Sequence, residues 1–464
     1  NVNLQFNDPL IYNRRIMNLF CNFKYELIAD DTRRSALSRF AGCRRAVFNK
    51  ALELQNDRKA KSEKSISYLE MAHLLMEWKQ PEEMAFLKEA PSQALQQTLM
   101  DLDRAIKDTF RKKGDPAKKR WPRFKAKDIG DGFRLPQVKP QDIDEPNGRV
   151  KLPKLGWLRY RRSRPLAFKC GDGTLIPGKV KQIHITKDCG KWFVTFATEF
   201  EIPDPVMKEK DVGIDVGIVH AVTLSNGKTC DLDVKTIKKI EGEIAYLKRR
   251  LSLNQSSRKK LAAKGLAEEF DKRKPSRTRR RLKELIQKKY KRIRSIRQDF
   301  HRKTAHALAQ EYGCVYVEDL HLRNMTKSAR GTNENPGNHV RQKRALNRAL
   351  QRMGLRALRT AIEEALNKMG GMVIAVPAQF TSQRCPNCGC TDKRNRPTQA
   401  LFSCVDCGYT NNADIVGSIN VMTKGRMSPS AHDKKRIARA VSAEGAGDPL
   451  SASAPSAGTT RSTG

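Results

Sequence analysis

Residues 383–420 open with QRCPNCGC (Gln383–Cys390) and close with SCVDCGYTNNADIVGSIN (Ser403–Asn420). Two Cys-x-x-Cys pairs, Cys385/Cys388 and Cys404/Cys407, stand 15 residues apart. Each pair is a tight knuckle offering two sulfurs. The stretch between them lets both knuckles close on one tetrahedral ion, so the spacing predicts a four-thiolate zinc ribbon. Gly389 and Gly408 each follow a knuckle, where a backbone with positive φ is commonly required. Cys390 fits neither pair and reads as a bystander, able to replace Cys388 only with poorer knuckle geometry. Seven residues past the last thiol, Asp414 opens an apolar run (Ile415, Val416, Ile419, Val421) that predicts a short helix. A carboxylate placed just after a metal-stapled loop is firmly held.

The chain around this window has 464 residues, enough for two to four domains and a sizeable core. Its 91 Lys and Arg against 50 acids leave a formal net charge of +41. Such an excess is hard to keep compact without a polyanion, which points to nucleic acid. A membrane surface is the rival polyanion, but no apolar run reaches the roughly 18 residues of a spanning helix. No signal peptide is evident, because Asn13, Arg14 and Arg15 interrupt Ile11–Phe20. Six of the 11 cysteines are scattered singly (Cys21, Cys43, Cys170, Cys189, Cys230, Cys314), which is no disulfide framework and suggests a reducing, cytoplasmic setting.

Met17 precedes the first orderly pattern, so residues 1–16 read as an upstream, flexible segment. Phe20–Ile28 alternates as a strand, and Asp31 or Thr32 is placed to cap a helix. Leu37, Phe40, Ala41, Val47, Phe48 and Ala51 then recur at helical spacing. A second helix starts at Ser92 and carries Leu95, Leu99, Leu102, Ile106 and Phe110. Residues 32–113 form a helical unit, either a plain bundle or a nucleic-acid contact. In KKGDPAKKRWPRFKAK (Lys112–Lys127), Trp121 and Phe124 sit among cations, which suits base stacking or the anchoring of a loop on a core. Short alternating segments such as Val180–Thr186 and Trp192–Phe200 predict a small β-barrel or sandwich.

Asp211–Leu224 is an apolar strand run, followed by the hairpin turn Ser225-Asn226-Gly227. Residues 235–311 read as long basic helices broken near Gly265 and Pro275, with a phosphate-tracking surface. Val315–Leu320 is a buried strand, Arg341–Met369 one helix, and Met372–Val376 a further strand. Residues 443–464 have the composition of a disordered tail.

Three carboxylates sit in apolar runs that would otherwise exclude charge: Asp215 on the first of these strands, Glu318 at the end of a later one, and Asp414 on the last helix. A buried carboxylate is costly unless it is paired or binds metal. Three that converge repel, and two Mg²⁺ ions relieve the repulsion while supporting phosphodiester hydrolysis. Strand alternation puts Glu318 on a face with Tyr316 and Asp319 on the opposite one, and pattern alone does not choose between them. Asp211 shares a face with Asp215 but lies at the strand start. His220 and His321 read as structural histidines.

At these residues the sequence resembles the TnpB family, transposon-encoded RNA-guided nucleases related to compact type V CRISPR effectors. The matching segments are VGIDVGIVHAVTLSNG, VYVEDLHLRNMTKSARGT, VPAQFTSQRCPNCGC and NRPTQALFSCVDCGYTNNADIVGSIN. The front half, KYELIADDTRRSALSRFAGCRRAVFNKAL with SQALQQTLMDLDRAIKDTF and WPRFKAK, looks like the family as well, so that the resemblance spans roughly residues 20–425.

The resemblance implies a multidomain α+β protein with a RuvC-like, RNase H-type α/β nuclease core. Asp215, Glu318 (not Asp319) and Asp414 would be its catalytic, magnesium-binding acids, and Cys385, Cys388, Cys404 and Cys407 its zinc ligands. The implied layout is an upstream segment (1–16), a wedge-like β-barrel (17–31 and 114–206), an inserted helical recognition domain (32–113), the nuclease (207–380 and 411–427), the zinc ribbon (381–410) and a tail (428–464). The implied activity is RNA-guided cleavage of double-stranded target DNA beside a short flanking motif, in a prokaryotic cytoplasm. The guide RNA would be encoded near the transposon end, and a monomer is the favoured working unit. A guided repressor without cleavage and an unguided, structure-selective nuclease are the alternatives. One departure is local: the family usually has Asn-Ala-Ala where Val416-Gly417-Ser418 stand here.

Overall fold

The computed structural model describes residues 16–427 other than 113, 116, 128, 171–172, 262–275 and 333. The expected upstream segment up to residue 15, the helix break near Gly265 and Pro275, and the tail from residue 428 lie outside the described residues. The chain divides into two compact units, Asn1–Pro203 and Asp204–Gly464.

The first unit begins with β1 (Ile16–Ile28), longer at its start than the alternation suggested. Helices α1 (Asp31–Ala60), α2 (Tyr68–Trp78) and α3 (Ser92–Lys107) follow. The cap of α1 is Asp30, not Asp31 or Thr32: its carboxylate accepts from the Arg33 N–H at 2.7 Å. That bond satisfies one of the orphan donors of the first turn. The residues singled out by helical spacing on α1 and α3 are buried, except Phe110, which lies past the end of α3 and is 71% exposed.

Strands β2 (Gly132–Leu135), β3 (Ile143–Asp144), β4 (Arg149–Leu152), β5 (Gly156–Tyr160), β8 (Lys179–Asp188) and β9 (Lys191–Pro203) join β1 in a seven-stranded sheet ordered β2-β8-β9-β1-β5-β4-β3. A small pair, β6 (Ala167–Lys169) and β7 (Leu175–Pro177), stands apart. Strand β1 is the seam. It pairs antiparallel with β9 from Ile16↔Pro203 to Glu26↔Phe193, then with β5 at Leu27↔Tyr160. One apolar cluster joins the inner face of this sheet to the three helices. Trp121 is a structural anchor: its indole N–H donates to the Asn56 side-chain Oδ1 at 2.8 Å and Lys59 lies 4.2 Å over its ring. Phe124 stays 57% exposed.

The second unit is built on a five-stranded sheet, β12-β11-β10-β13-β14, from β10 (Asp211–Asp215), β11 (Val222–Leu224), β12 (Thr229–Cys230), β13 (Cys314–Glu318) and β14 (Met372–Val376). Strands β10, β13 and β14 are parallel, while β11 and β12 return antiparallel through the turn at Gly227, whose φ is 83°. Helices α4 (Val234–Leu261) and α5 (Arg277–Glu311) carry much of the basic charge. After a short α6 (Leu322–Met325), residues 341–369 are not one helix. They form α7 (Val340–Met353) and α8 (Leu355–Lys368), because Gly354 takes a left-handed conformation at φ 65°. His301 is buried there and donates from Nε2 to the Met353 carbonyl at 2.8 Å.

Helices α5 and α8 cover one face of the sheet, through Ala305, Leu308, Leu358, Ile362 and Leu366 against Val212, Ile214, Val315 and Val317. The other face receives α9 (Ala413–Met427). Two glycines allow that approach. A Cβ on Gly213 would strike the Ser418 carbonyl, and one on Gly425 would enter the Tyr316 ring. No helix of the described residues is long and apolar enough to cross a membrane.

Candidate active site

The four predicted thiols come together. One sulfur from each of Cys385, Cys388, Cys404 and Cys407 lies within 4.8 Å of all the others. The Cys385–Cys407 and Cys388–Cys404 separations are 3.6 and 3.5 Å. Sulfurs about 2.3 Å from one tetrahedral zinc would stand about 3.8 Å apart, so the donor set fits that ion. The two knuckles repeat one geometry. Gly389 N–H donates to the Cys385 carbonyl at 3.0 Å and Gly408 N–H to that of Cys404 at 3.1 Å, with φ of 79° and 71° at the two glycines. Hydrogen bonds from the backbone around Tyr409 and from Asn387 hold the Cys407 thiol down to about 6, which favours the thiolate. Cys390 stays outside the sulfur cluster.

Asn395, fully buried, ties the knuckles together. Its amide donates to the Gln383 and Cys390 carbonyls at 2.9 and 3.2 Å, and its oxygen accepts from Val405 N–H at 2.9 Å. The ribbon strands β15 (Leu401–Ser403) and β16 (Thr410–Asn412) lead straight into α9. Val416 of that helix packs with Phe402, Cys385 and Cys404. The departure at 416–418 is therefore accommodated: Val416 and Ser418 are fully buried, and the Ser418 hydroxyl donates to the Ile415 carbonyl at 2.7 Å.

The three carboxylates lie on three elements, two of them at the carboxyl ends of interior strands of the second sheet. Asp215 is the last residue of β10 and Glu318 the last of β13. These strands run parallel with Ile214 opposite Val317, so both acids emerge at the carboxyl ends, where open α/β sheets place their ligands. Asp414 stands in the first turn of α9, capped by Asn412, whose side chain accepts from the Asp414 N–H at 2.9 Å. Anions are favoured there by the helix dipole. Burial first, then the charges of Glu318 and Asp414, push the Asp215 carboxyl up to about 7. Glu318 is also raised, by burial, against the pull of the Thr381 hydroxyl, Lys424 and Arg396.

A hard-oxygen set holding more negative charge than its surroundings neutralise fits divalent cations such as Mg²⁺. Among the described residues only the four thiols are close enough to share a single ion, so the acids stand wider apart than ligands already closed on one metal. A Cβ on Gly417 would touch Asp215 Oδ2 at 3.4 Å, so this glycine leaves room beside the acid.

Glu318 and Asp319 separate at the strand end. Glu318 accepts from the Thr381 hydroxyl at 2.6 Å, whereas Asp319 turns away to Arg359 at 3.3 Å. Asp211 is engaged by Arg426 at 2.7 Å, and His220 by Asp231 at 3.1 Å. Sequence reasoning missed Arg396. This ribbon residue brings its guanidinium to 3.7 Å from Asp414, and its charge opposes the upward shifts of Asp215 and Glu318. Its cue, the second Arg of KRNRPTQ, is indistinguishable from any surface cation.

Residues 356–421 match a family model described as "Cas12f1-like, TNB domain", and residues 195–329 one described as "Probable transposase". Residues 17–64 match a "Helix-turn-helix domain" model, although here they form strand β1 and the single long helix α1. Over 405 residues the chain is 38% identical to "Putative RNA-guided DNA endonuclease InsQ" of Escherichia coli (strain K12), covering 87% of this chain and 92% of that one. A "Putative RNA-guided DNA endonuclease" of Streptomyces pristinaespiralis is 28% identical over 426 residues, covering 91% and 94%. Cas12f1 in a structure titled "Cryo-EM structure of the Cas12f1-sgRNA-target DNA complex" aligns over 85% of this chain and 83% of its own at a TM-score of 0.45 and 12% identity. The identity to the Escherichia coli protein, sustained over nearly the full length of both, places the chain in the TnpB family.

Proposed function

We propose that this protein is an RNA-guided DNA endonuclease, associated with a transposon, that cuts target DNA beside a short flanking motif by two-metal-ion phosphodiester hydrolysis. One observation carries the reading: Asp215 and Glu318 end the neighbouring parallel strands β10 and β13, and Asp414 opens the helix whose Gly417 lies against Asp215, so three partly buried acids face one end of the sheet. Gathering acids in a partly buried place is costly, and bound cations would offset that cost.

The three acids would hold two Mg²⁺ ions, which supply an activated water and a stabilised leaving oxygen when bound. Asp215 and Glu318 are fixed by their strands, and Asp414 by its cap and by the ribbon. Arg396 presents a planar donor beside the acids, suited to a backbone phosphate. Four thiolates leave zinc no open position, so the ribbon is a structural part that seats α9. In this reading α4 and α5 track phosphates, base pairing with the guide selects the target, and the protein reads only the flanking motif. The domain assignment is a wedge built from the first unit's strands, a recognition domain of α1–α3, and a RuvC-like nuclease at 207–380 and 411–427 around the ribbon at 381–410.

The test is to express the protein with its flanking DNA, sequence the co-purified RNA, and replace the RNA's 3′ segment. Cleavage should follow the new sequence, need Mg²⁺, and vanish in Asp215→Ala with target binding kept. Cutting that ignores the RNA, or persists in Asp215→Ala, overturns the proposal.

A further inference from the structure

The loop between β14 and the ribbon contributes a buried hydroxyl that contacts Glu318. Thr381 is 4% exposed, and its Oγ1 donates to Glu318 Oε1 at 2.6 Å. The Ala378 carbonyl is a competing acceptor at 3.0 Å. A hydroxyl has one proton, and the shorter contact to an ionised acceptor is the stronger bond.

Thr381 is itself held. Asn420, 6% exposed on α9, sends one amide hydrogen to the Thr381 carbonyl at 2.8 Å and the other to the Arg384 carbonyl at 2.7 Å. Arg384 directly precedes the thiol ligand Cys385, and Asn420 lies on the helix that carries Asp414. One amide thus joins the ribbon base, the Asp414 helix and the residue touching Glu318. Each link crosses between different elements, so none of them is explained by local turn geometry. An apolar residue of Thr381's shape, valine, would fill the same volume without the bond, so packing alone does not require a hydroxyl here.

We infer that Thr381 is a positioning residue for cleavage: with Asn420 behind it, its hydroxyl fixes the Glu318 carboxylate in register with Asp414, engaging one oxygen and leaving the other to a cation. This rests on Glu318 being a catalytic acid, as proposed above. It makes the ribbon a rigid spacer between two acids on separate elements, and it couples the zinc site to the magnesium site without any shared ligand. Losing the donor frees Glu318 to rotate away, so the cations would bind less tightly and the reacting groups would be less well aligned.

The experiment compares Thr381→Val, Thr381→Ser and Glu318→Gln in the guide-RNA-loaded protein. Cleavage rate is followed against Mg²⁺ concentration, with zinc content and target binding as controls. Thr381→Val should cut at least about tenfold more slowly, at a Mg²⁺ half-saturation raised severalfold, with zinc and binding unchanged. Thr381→Ser, which keeps the donor, should recover most of the rate and the parental Mg²⁺ dependence. An inactive Glu318→Gln beside an unimpaired Thr381→Val overturns the positioning role alone, as does a Thr381→Ser no better than Val. An active Glu318→Gln overturns the site assignment and the positioning role with it. Should Thr381→Val lose zinc, Thr381→Ala and Thr381→Ser provide the same comparison.

Discussion

Replacing Asp215 by Asn separates the instability of the site from its use. The folded state raises this carboxyl from 3.8 to about 7. Between those values the folded protein holds a proton that the unfolded chain has released. The group therefore contributes nothing adverse below about pH 4, and stability falls as pH rises toward about 7. At 1.36 kcal/mol per unit the full shift is about 4 kcal/mol, and partial solvent screening reduces the expected value to about 2 kcal/mol. Asparagine keeps the shape and cannot ionise. Without Mg²⁺, Asp215→Asn should therefore be the more stable protein at neutral pH by about that amount, with the gap closing toward pH 4.

Hydrogen exchange of β10 and β13 reads this directly. Trp78, Trp121, Trp157 and Trp192 all lie in the first unit, so their fluorescence under denaturant is an internal control that should not move. The buffers must lack strong chelators, which would strip the thiolate site. Added Mg²⁺ should stabilise the parent and not the variant, and only the parent should cut. A variant that is less stable at neutral pH, or a gap independent of pH, would refute the electrostatic account of this site.

The remaining predictions concern its neighbours. Glu318→Gln and Asp414→Asn should each abolish cleavage in a programmed-target assay while leaving guide-dependent binding intact. Arg396→Ala removes the cation that opposes the raised carboxyls. Their proton affinities should rise further, so the pH–rate profile should move to higher pH, with a loss of about tenfold, or about 1.4 kcal/mol, at neutral pH. Removing zinc, by chelation or by Cys404→Ser, should release α9 from the ribbon and stop cleavage, and metal analysis should find one zinc per chain before treatment. Gly213→Ala would drive a methyl into the Ser418 carbonyl and to 2.7 Å from the Met422 side chain. It should destabilise the second unit by about 1–3 kcal/mol without altering zinc content, as read by hydrogen exchange.

Legibility in the sequence followed the range of the forces involved. The knuckles were readable because two thiols and a glycine within five residues carry their own geometry, as the matching φ angles at Gly389 and Gly408 bear out. The cores of α1 and α3 were readable because burial repeats at the helical period. The boundary between α7 and α8 was missed because an apolar period continues across Gly354, while the left-handed turn there is supported by His301 from another helix. Trp121 among cations satisfied a stacking pattern, but Asn56, 65 residues away, supplies its partner.

By itself the sequence determined that four thiols would come together in one cluster, that the chain would carry a large positive charge, and that three acids would sit in apolar surroundings. Only the tertiary structure decided which acid of the Glu318–Asp319 pair faces inward, and it did so by ending β13 at Glu318 and offering Thr381 to one and Arg359 to the other. It alone brought Arg396 to Asp414 and Asn420 to the base of the ribbon. The reason is distance along the chain. A knuckle is closed by neighbours, whereas contacts between the ribbon, α9 and the strand ends exist only once two glycines have let the helix settle on the sheet.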